Sequence, residues 1–170
     1  MQHYKEVIII TLVTFLVFGG IIWLASSDSS SKNLQTASVS SVSENKLVAD
    51  ESNFDFGDIS MADGKVSKVF TLKNRSENPL TINKIYTSCM CTTATLMLKD
   101  GKARGPFGMP GHGVVPRINQ VISGDEEVRI EATFDPAAHG PAGVGPIQRS
   151  VYVETDSGEV ELGFTAVVRP

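Results

Sequence analysis

From Glu127 to Phe134 the chain reads Glu-Val-Arg-Ile-Glu-Ala-Thr-Phe, and Val128, Ile130, Ala132 and Phe134 fall on every second position. A period of two fits a β-strand with one buried face; a helix of the same sequence would scatter those side chains around its circumference. The texture recurs. Asn53 to Ile59 places Phe54 and Phe56 on one face before Gly57 breaks the run. Lys65 to Asn74 aligns Val66, Phe70 and Leu72, with Lys68 interrupting the face. Leu80 and Ile82, then Ile85 after a break at Lys84, make the next run, which closes at Ser88. Arg149 to Thr155 is β-branched and aromatic, and Glu159 to Val168 puts Val160, Leu162, Phe164 and Ala166 on one face. Each run is bounded by Gly, Pro, Asn or Asp, and no sustained helical period occurs among them. About seven such runs in roughly 120 residues predict an all-β fold, an antiparallel Ig-like β-sandwich over 50–170. The alternating phenylalanines are core rather than ligand contacts, because paired apolar faces are what a sandwich buries.

Two stretches precede this body. Val7 to Ala25 contains no charged residue, and nineteen residues at about 1.5 Å each reach roughly 28 Å, close to the hydrocarbon thickness. Trp23 sits near one end, Lys5 precedes the run and Asp28 follows it. This pattern predicts one N-terminal transmembrane helix within 1–25, with a cytoplasmic N-terminus and a periplasmic or extracellular body. A cleaved signal peptide is the rival reading, though its apolar region would be unusually long. Both export the body, and thiols there face an oxidising compartment. Residues 26–49 are dominated by serine and hold no aromatic, which predicts a flexible linker.

The net charge is −4, and no Lys/Arg cluster marks a nucleic-acid partner. No Gly-rich phosphate loop, His-Glu-x-x-His or Gly-x-Ser-x-Gly elbow is present. The chemistry-bearing stretch is Thr87-Ser-Cys-Met-Cys-Thr-Thr, which holds both cysteines of the chain, Cys89 and Cys91. Three readings are open. A disulfide across one residue needs a bent backbone, because residues i and i+2 of a flat strand lie about 6.6–6.8 Å apart. Two thiolates on one face can hold a soft ion such as Cu(I), with further ligands from Met109 or His112 in the Gly/Pro-rich insert at about 98–121. The third reading is two small buried residues with no chemistry. His139, in His-Gly-Pro-Ala-Gly, reads as a surface turn residue. Asn74-Arg-Ser matches a glycosylation sequon and reads as a chance match.

The ordered set Phe54-Asp-Phe-Gly-Asp-Ile, Val69-Phe-Thr-Leu-Lys-Asn, Pro79-Leu-Thr-Ile, Ser88-Cys-Met-Cys-Thr, Ala132-Thr-Phe-Asp-Pro and Val151-Tyr-Val-Glu-Thr-Asp resembles one bacterial exported family, domain of unknown function 1573. That family is similar to the immunoglobulin-like domains of the major sperm protein and Hydin type. The resemblance spans about Asn53 to Val168, and its specific element is Ser-Cys-x-Cys-Thr. The chain departs from the family pattern with Met90 where glycine is usual, and with the long insert. The resemblance implies the Ig-like fold, export and the cysteine pair. The expected function is a membrane-tethered, non-catalytic binding or adaptor module with a protein partner at the envelope. A copper-binding protein and a thiol redox module are the alternatives.

Overall fold

The computed structural model of the protein describes residues 46–170. The expected transmembrane helix in 1–25, and the expected linker as far as residue 45, lie outside the described residues. Ten strands follow in chain order: β1 (Leu47–Ala49), β2 (Asn53–Ser60), β3 (Val66–Asn74), β4 (Leu80–Thr87), β5 (Thr92–Met97), β6 (Ala103–Phe107), β7 (Gln120–Ile122), β8 (Glu127–Phe134), β9 (Gly145–Thr155) and β10 (Gly158–Arg169). They form two five-stranded sheets, ordered β1-β3-β8-β5-β6 and β2-β10-β9-β4-β7. The sandwich agrees with the sequence reading; the count of ten does not agree with about seven. Outside the runs read from the sequence are β5, of six residues between β8 and β6, and β1, β6 and β7, of three, five and three residues, each at a sheet edge. A strand that short has no room to display a period of two. One pairing is parallel: β2 lies beside β10, with Phe54 opposite Phe164.

The core lies between the sheets. Phe70, Leu72, Ile130 and Leu96 from one sheet and Ile82, Ile85, Leu162 and Phe164 from the other are almost wholly buried. Phe56 packs its ring edgewise on Phe164, with centroids 5.4 Å apart. The two lysines that interrupt the sequence pattern have different explanations. Lys68 keeps the inward phase of β3 at the mouth of the sandwich, where its Nζ lies 4.1 Å from the Phe54 ring centroid and pairs with Glu51. The ammonium thus gains a π-face and a carboxylate while its stem covers apolar surface. At Lys84 the β4–β9 register shifts between Ile82 and Lys84. This irregularity resets the phase, so Ile85 and Thr87 point inward again.

One expected boundary needs correction, and the insert has sheet structure of its own. The linker expected over 26–49 ends earlier, because Leu47–Ala49 pairs with Leu72 to Asn74 and the Leu47 side chain is buried in the core. The insert at about 98–121 is partly sheet. Its β6 adds to β5 at one sheet edge and its β7 adds to β4 at the other. Between them the chain straps the open side of the sandwich: Arg104 Nη1 donates to the Ile118 carbonyl, and the Ile118 N–H donates to Asn83 on β4. Gly105 (φ +127°) permits the close approach of β6 to β5, since a Cβ there would lie 2.8 Å from the Ala94 carbonyl.

Candidate functional site

Two connections cross between the sheets at the same end of the molecule. The β4–β5 turn leaves one sheet at Thr87 and enters the other at Thr92, carrying Cys89 and Cys91. The β8–β9 connection, residues 135–144, makes the reverse crossing and includes a 3-10 turn at Gly140–Gly143. Hydrogen bonds lock them together. The Asp135 N–H donates to the Cys91 carbonyl (2.9 Å), the Ser88 N–H to the Ser150 carbonyl (2.9 Å), and the Ser150 N–H to Ser88 Oγ (2.9 Å). The buried Thr87 hydroxyl lies 3.0 Å from the carbonyl oxygens of both Cys89 and Thr92. The Thr92 N–H donates to the Cys89 carbonyl at 3.1 Å, closing a tight turn.

That turn brings the two cysteines closer than a flat strand would. The pair does not lie on flat strand; it sits on the bend, its Cα atoms are 5.3 Å apart, and the two sulfurs are joined as a disulfide. The span is inside the normal disulfide range, which the flat-strand spacing only touches. The ring closed is three residues long, so the bridge constrains the unfolded chain little. A chain-entropy argument gives about 1.5 kcal/mol, against about 3 kcal/mol for a 15-residue loop.

The two sulfurs have unlike surroundings. Cys91 is 3% exposed, whereas Cys89 is half-buried. His139 Nε2 lies 3.3 Å from Cys89 Sγ. Arg149, near the start of β9, donates its Nε–H to Cys91 Sγ at 3.3 Å. Beside them runs a shallow groove of about 370 Å³ lined by His139, Gly143, Val144, Pro146, Gln148 and Arg149. Val144 on its wall and Met90 at the tip of the turn are exposed apolar side chains.

Of the residues expected around a soft ion, Cys89 and Cys91 come together, and they do so as a disulfide. The third member of the cluster is His139 and not His112. Among the described residues, the ligand atoms of Cys89, Cys91 and His139 all lie within 4.8 Å of one another. The Gly108 carbonyl accepts from the Thr87 N–H at 3.2 Å, so the insert returns to this corner after β6. Met109 and the exposed His112 then form a turn of the strap, the His112 N–H donating to the Met109 carbonyl at 3.3 Å. His139 is an exposed turn residue, as expected, and it also touches Cys89. Fifty residues separate the two, and only the sheet crossings bring them together. Arg149 carried no sequence signal for the site.

Fold and site together define an Ig-like β-sandwich with a disulfide-bridged Cys-x-Cys turn at one end. The model of the family described as protein of unknown function (DUF1573) matches residues 47–103, from β1 to the first residue of β6, with the cysteine turn inside the match. The chain resembles that family over this stretch, in accord with the Ser-Cys-x-Cys-Thr motif. Among solved structures, a protein of unknown function from Porphyromonas gingivalis W83 is similar at 13% identity with a TM-score of 0.50, over 71% of this chain and 46% of that one. The ASH / PapD-like domain of human CEP192 is 11% identical with a TM-score of 0.43, over 75% of this chain and 87% of that one. WR4, a C. elegans MSP family member, is 9% identical with a TM-score of 0.40, over 74% and 99%. Likeness at such identities concerns the fold alone, and this chain spans less than half of the Porphyromonas protein. No curated protein matches the sequence.

Proposed function

We propose that the protein is a membrane-tethered, exported Ig-like module of the bacterial envelope that binds a protein partner through the end of the sandwich bearing Cys89 and Cys91. The observation that carries this reading is the groove between His139 and Arg149, where the exposed apolar Val144 lies with Pro146 and Ile147 between the polar side chains of His139, Gln148 and Arg149. An apolar contact ringed by hydrogen-bonding groups is the usual composition of a protein interface. The bridged cysteines support export, since disulfides persist outside the cytoplasm. The test places a photo-crosslinking residue at Val144 or, on the opposite end, at Lys99, in the full chain within intact cells. A discrete adduct in the membrane fraction from position 144 and not from 99 supports the reading. Adducts from both, or none from 144, overturn it.

The copper reading keeps one specific support, with His139 in place of His112: the three converging atoms of Cys89, Cys91 and His139. Only the reduced pair offers thiolates as ligands. Two thiolates, Cu(I) and the Arg149 guanidinium then sum to zero charge, and soft sulfur favours that ion. Titration of the reduced full chain with Cu(I) against a chelator decides it. His139→Ala is expected to weaken binding and His112→Ala to leave it unchanged; no competition with the chelator ends the reading.

A further inference from the structure

The disulfide is asymmetric in access and in charge. Cys89 is half-buried and borders the groove residue His139, while Cys91 is 3% exposed and has Arg149 Nε 3.3 Å from its sulfur. We propose that the Cys89–Cys91 bridge is a thiol–disulfide exchange site with a fixed polarity: an incoming thiolate attacks Cys89, and Cys91 leaves toward Arg149. The partner class is an exported protein or small molecule carrying one or two thiols. This assignment does not depend on which protein the module binds, nor on copper.

The steps balance as follows. A partner thiolate forms a bond to Cys89 Sγ as the Sγ–Sγ bond breaks, and the electron pair of that bond goes to Cys91 Sγ. The negative charge that left the partner now sits on Cys91 and faces a guanidinium that stays protonated at any ordinary pH. A buried sulfur would be a poor place for that charge without such a partner, and exchange quickens as the leaving sulfur is better stabilised. In the second step another partner thiolate attacks the partner's sulfur in the mixed disulfide, and Cys89 Sγ is released beside the His139 imidazole. One partner disulfide is made, Cys89 and Cys91 gain two electrons, and the two new thiolates draw their protons from water. The opposite polarity would place the incoming group in the buried space around Cys91, and the released charge on the sulfur that Arg149 does not touch. A purely structural bridge accounts for neither the placement of the two side chains nor the shortness of the closed ring, which adds little to stability.

The test uses the oxidised full chain in detergent, with glutathione as the attacking thiol. Samples are quenched in acid, alkylated and peptide-mapped by mass spectrometry. The expected result is glutathione on Cys89 with alkylated Cys91, and about a tenfold slower attack in Arg149→Gln, partly restored in Arg149→Lys. His139→Ala is expected to slow release of Cys89 in the second step while leaving the first nearly unchanged. Glutathione found mainly on Cys91, attack rates of Arg149→Gln within twofold of the parent, or exchange seen only after denaturation would each overturn the proposal. Thermal melts of the oxidised variants check that the sandwich is intact; a variant that melts early is replaced by Arg149→Lys alone, whose recovery or loss of rate decides.

Discussion

The two ends of the sandwich perform the same topological task with different chemistry. At the end opposite the cysteines, the β3–β4 connection (75–79) and the β7–β8 connection (123–126) also cross between sheets in opposite senses. They are held by one amide. Asn74 is fully buried; its Nδ2 donates to the carbonyls of Asn78 and Ser123, both at 2.9 Å, and its Oδ1 accepts from the Ser76 N–H (3.0 Å) and hydroxyl (2.8 Å). Every polar group of that side chain is used, and its burial also takes the sequon out of reach in the folded protein. At the cysteine end the staple is two sulfurs, with an exposed histidine and an arginine against them. The contrast teaches where function can reside. One end commits its polar atoms to holding the fold, and the other leaves reactive atoms at the edge of a groove.

The comparison breaks if the amide end proves the less important to stability. Asn74→Ala removes a fully buried amide and takes the partner from the Ser123 carbonyl and the Ser76 N–H, and is expected to cost about 3 kcal/mol, read as a lower urea midpoint of the full chain. Next in size is Gly124→Ala. A Cβ at Gly124 would overlap the Glu77 carbonyl of the facing connection, and backbone cannot swing aside as a side chain does. A loss of about 2 kcal/mol is expected, typical of overpacking. The Cys89→Ser, Cys91→Ser double variant is expected to lose only about 1.5 kcal/mol, because its ring is three residues long. A double cysteine variant less stable than Asn74→Ala would make the cysteine end the principal staple and reverse the assignment of roles.

The same contrast governs what could be read from the sequence. Strands β8 and β10 were plain because one face of each is buried, and alternation records that directly. Strand β6 was hidden because four of its five residues are exposed and only Phe107 enters the core. Strand β1 was hidden because a single leucine in a serine-rich stretch sets no period, and its burial depends on pairing with residues 72–74, far along the chain. The cysteines were found as a pair because they are adjacent in sequence. His139 and Arg149 come from 50 and 58 residues away and reach the sulfurs only through the sheet order. Met109 and His112 drew attention by residue type, which carries no distance.

The smallest effect expected tests how far the cysteine turn is coupled to the strand beneath it. Tyr86, one residue before Thr87, lies outside the core because the irregularity at Lys84 resets the phase of β4. Its ring stacks on Tyr152 at 5.0 Å, and its hydroxyl donates to Glu159 at 2.6 Å. That hydrogen bond to a carboxylate, reinforced by partial burial and by the nearby negative charge, pushes the phenol from 10.0 up to about 12. The sign follows from linkage. A folded-state value above the unfolded one contributes stability that is complete below about pH 10 and is lost as pH rises through about 12. Ultraviolet difference titration should therefore show one tyrosine ionising late, absent in Tyr86→Phe and returned toward the ordinary range in Glu159→Gln. If the turn is only a small staple on an already rigid strand, the late titration keeps its midpoint in the double cysteine variant. A midpoint that falls there would mean that the disulfide sets the register of β4, and that the two ends of the sandwich are not separable as argued.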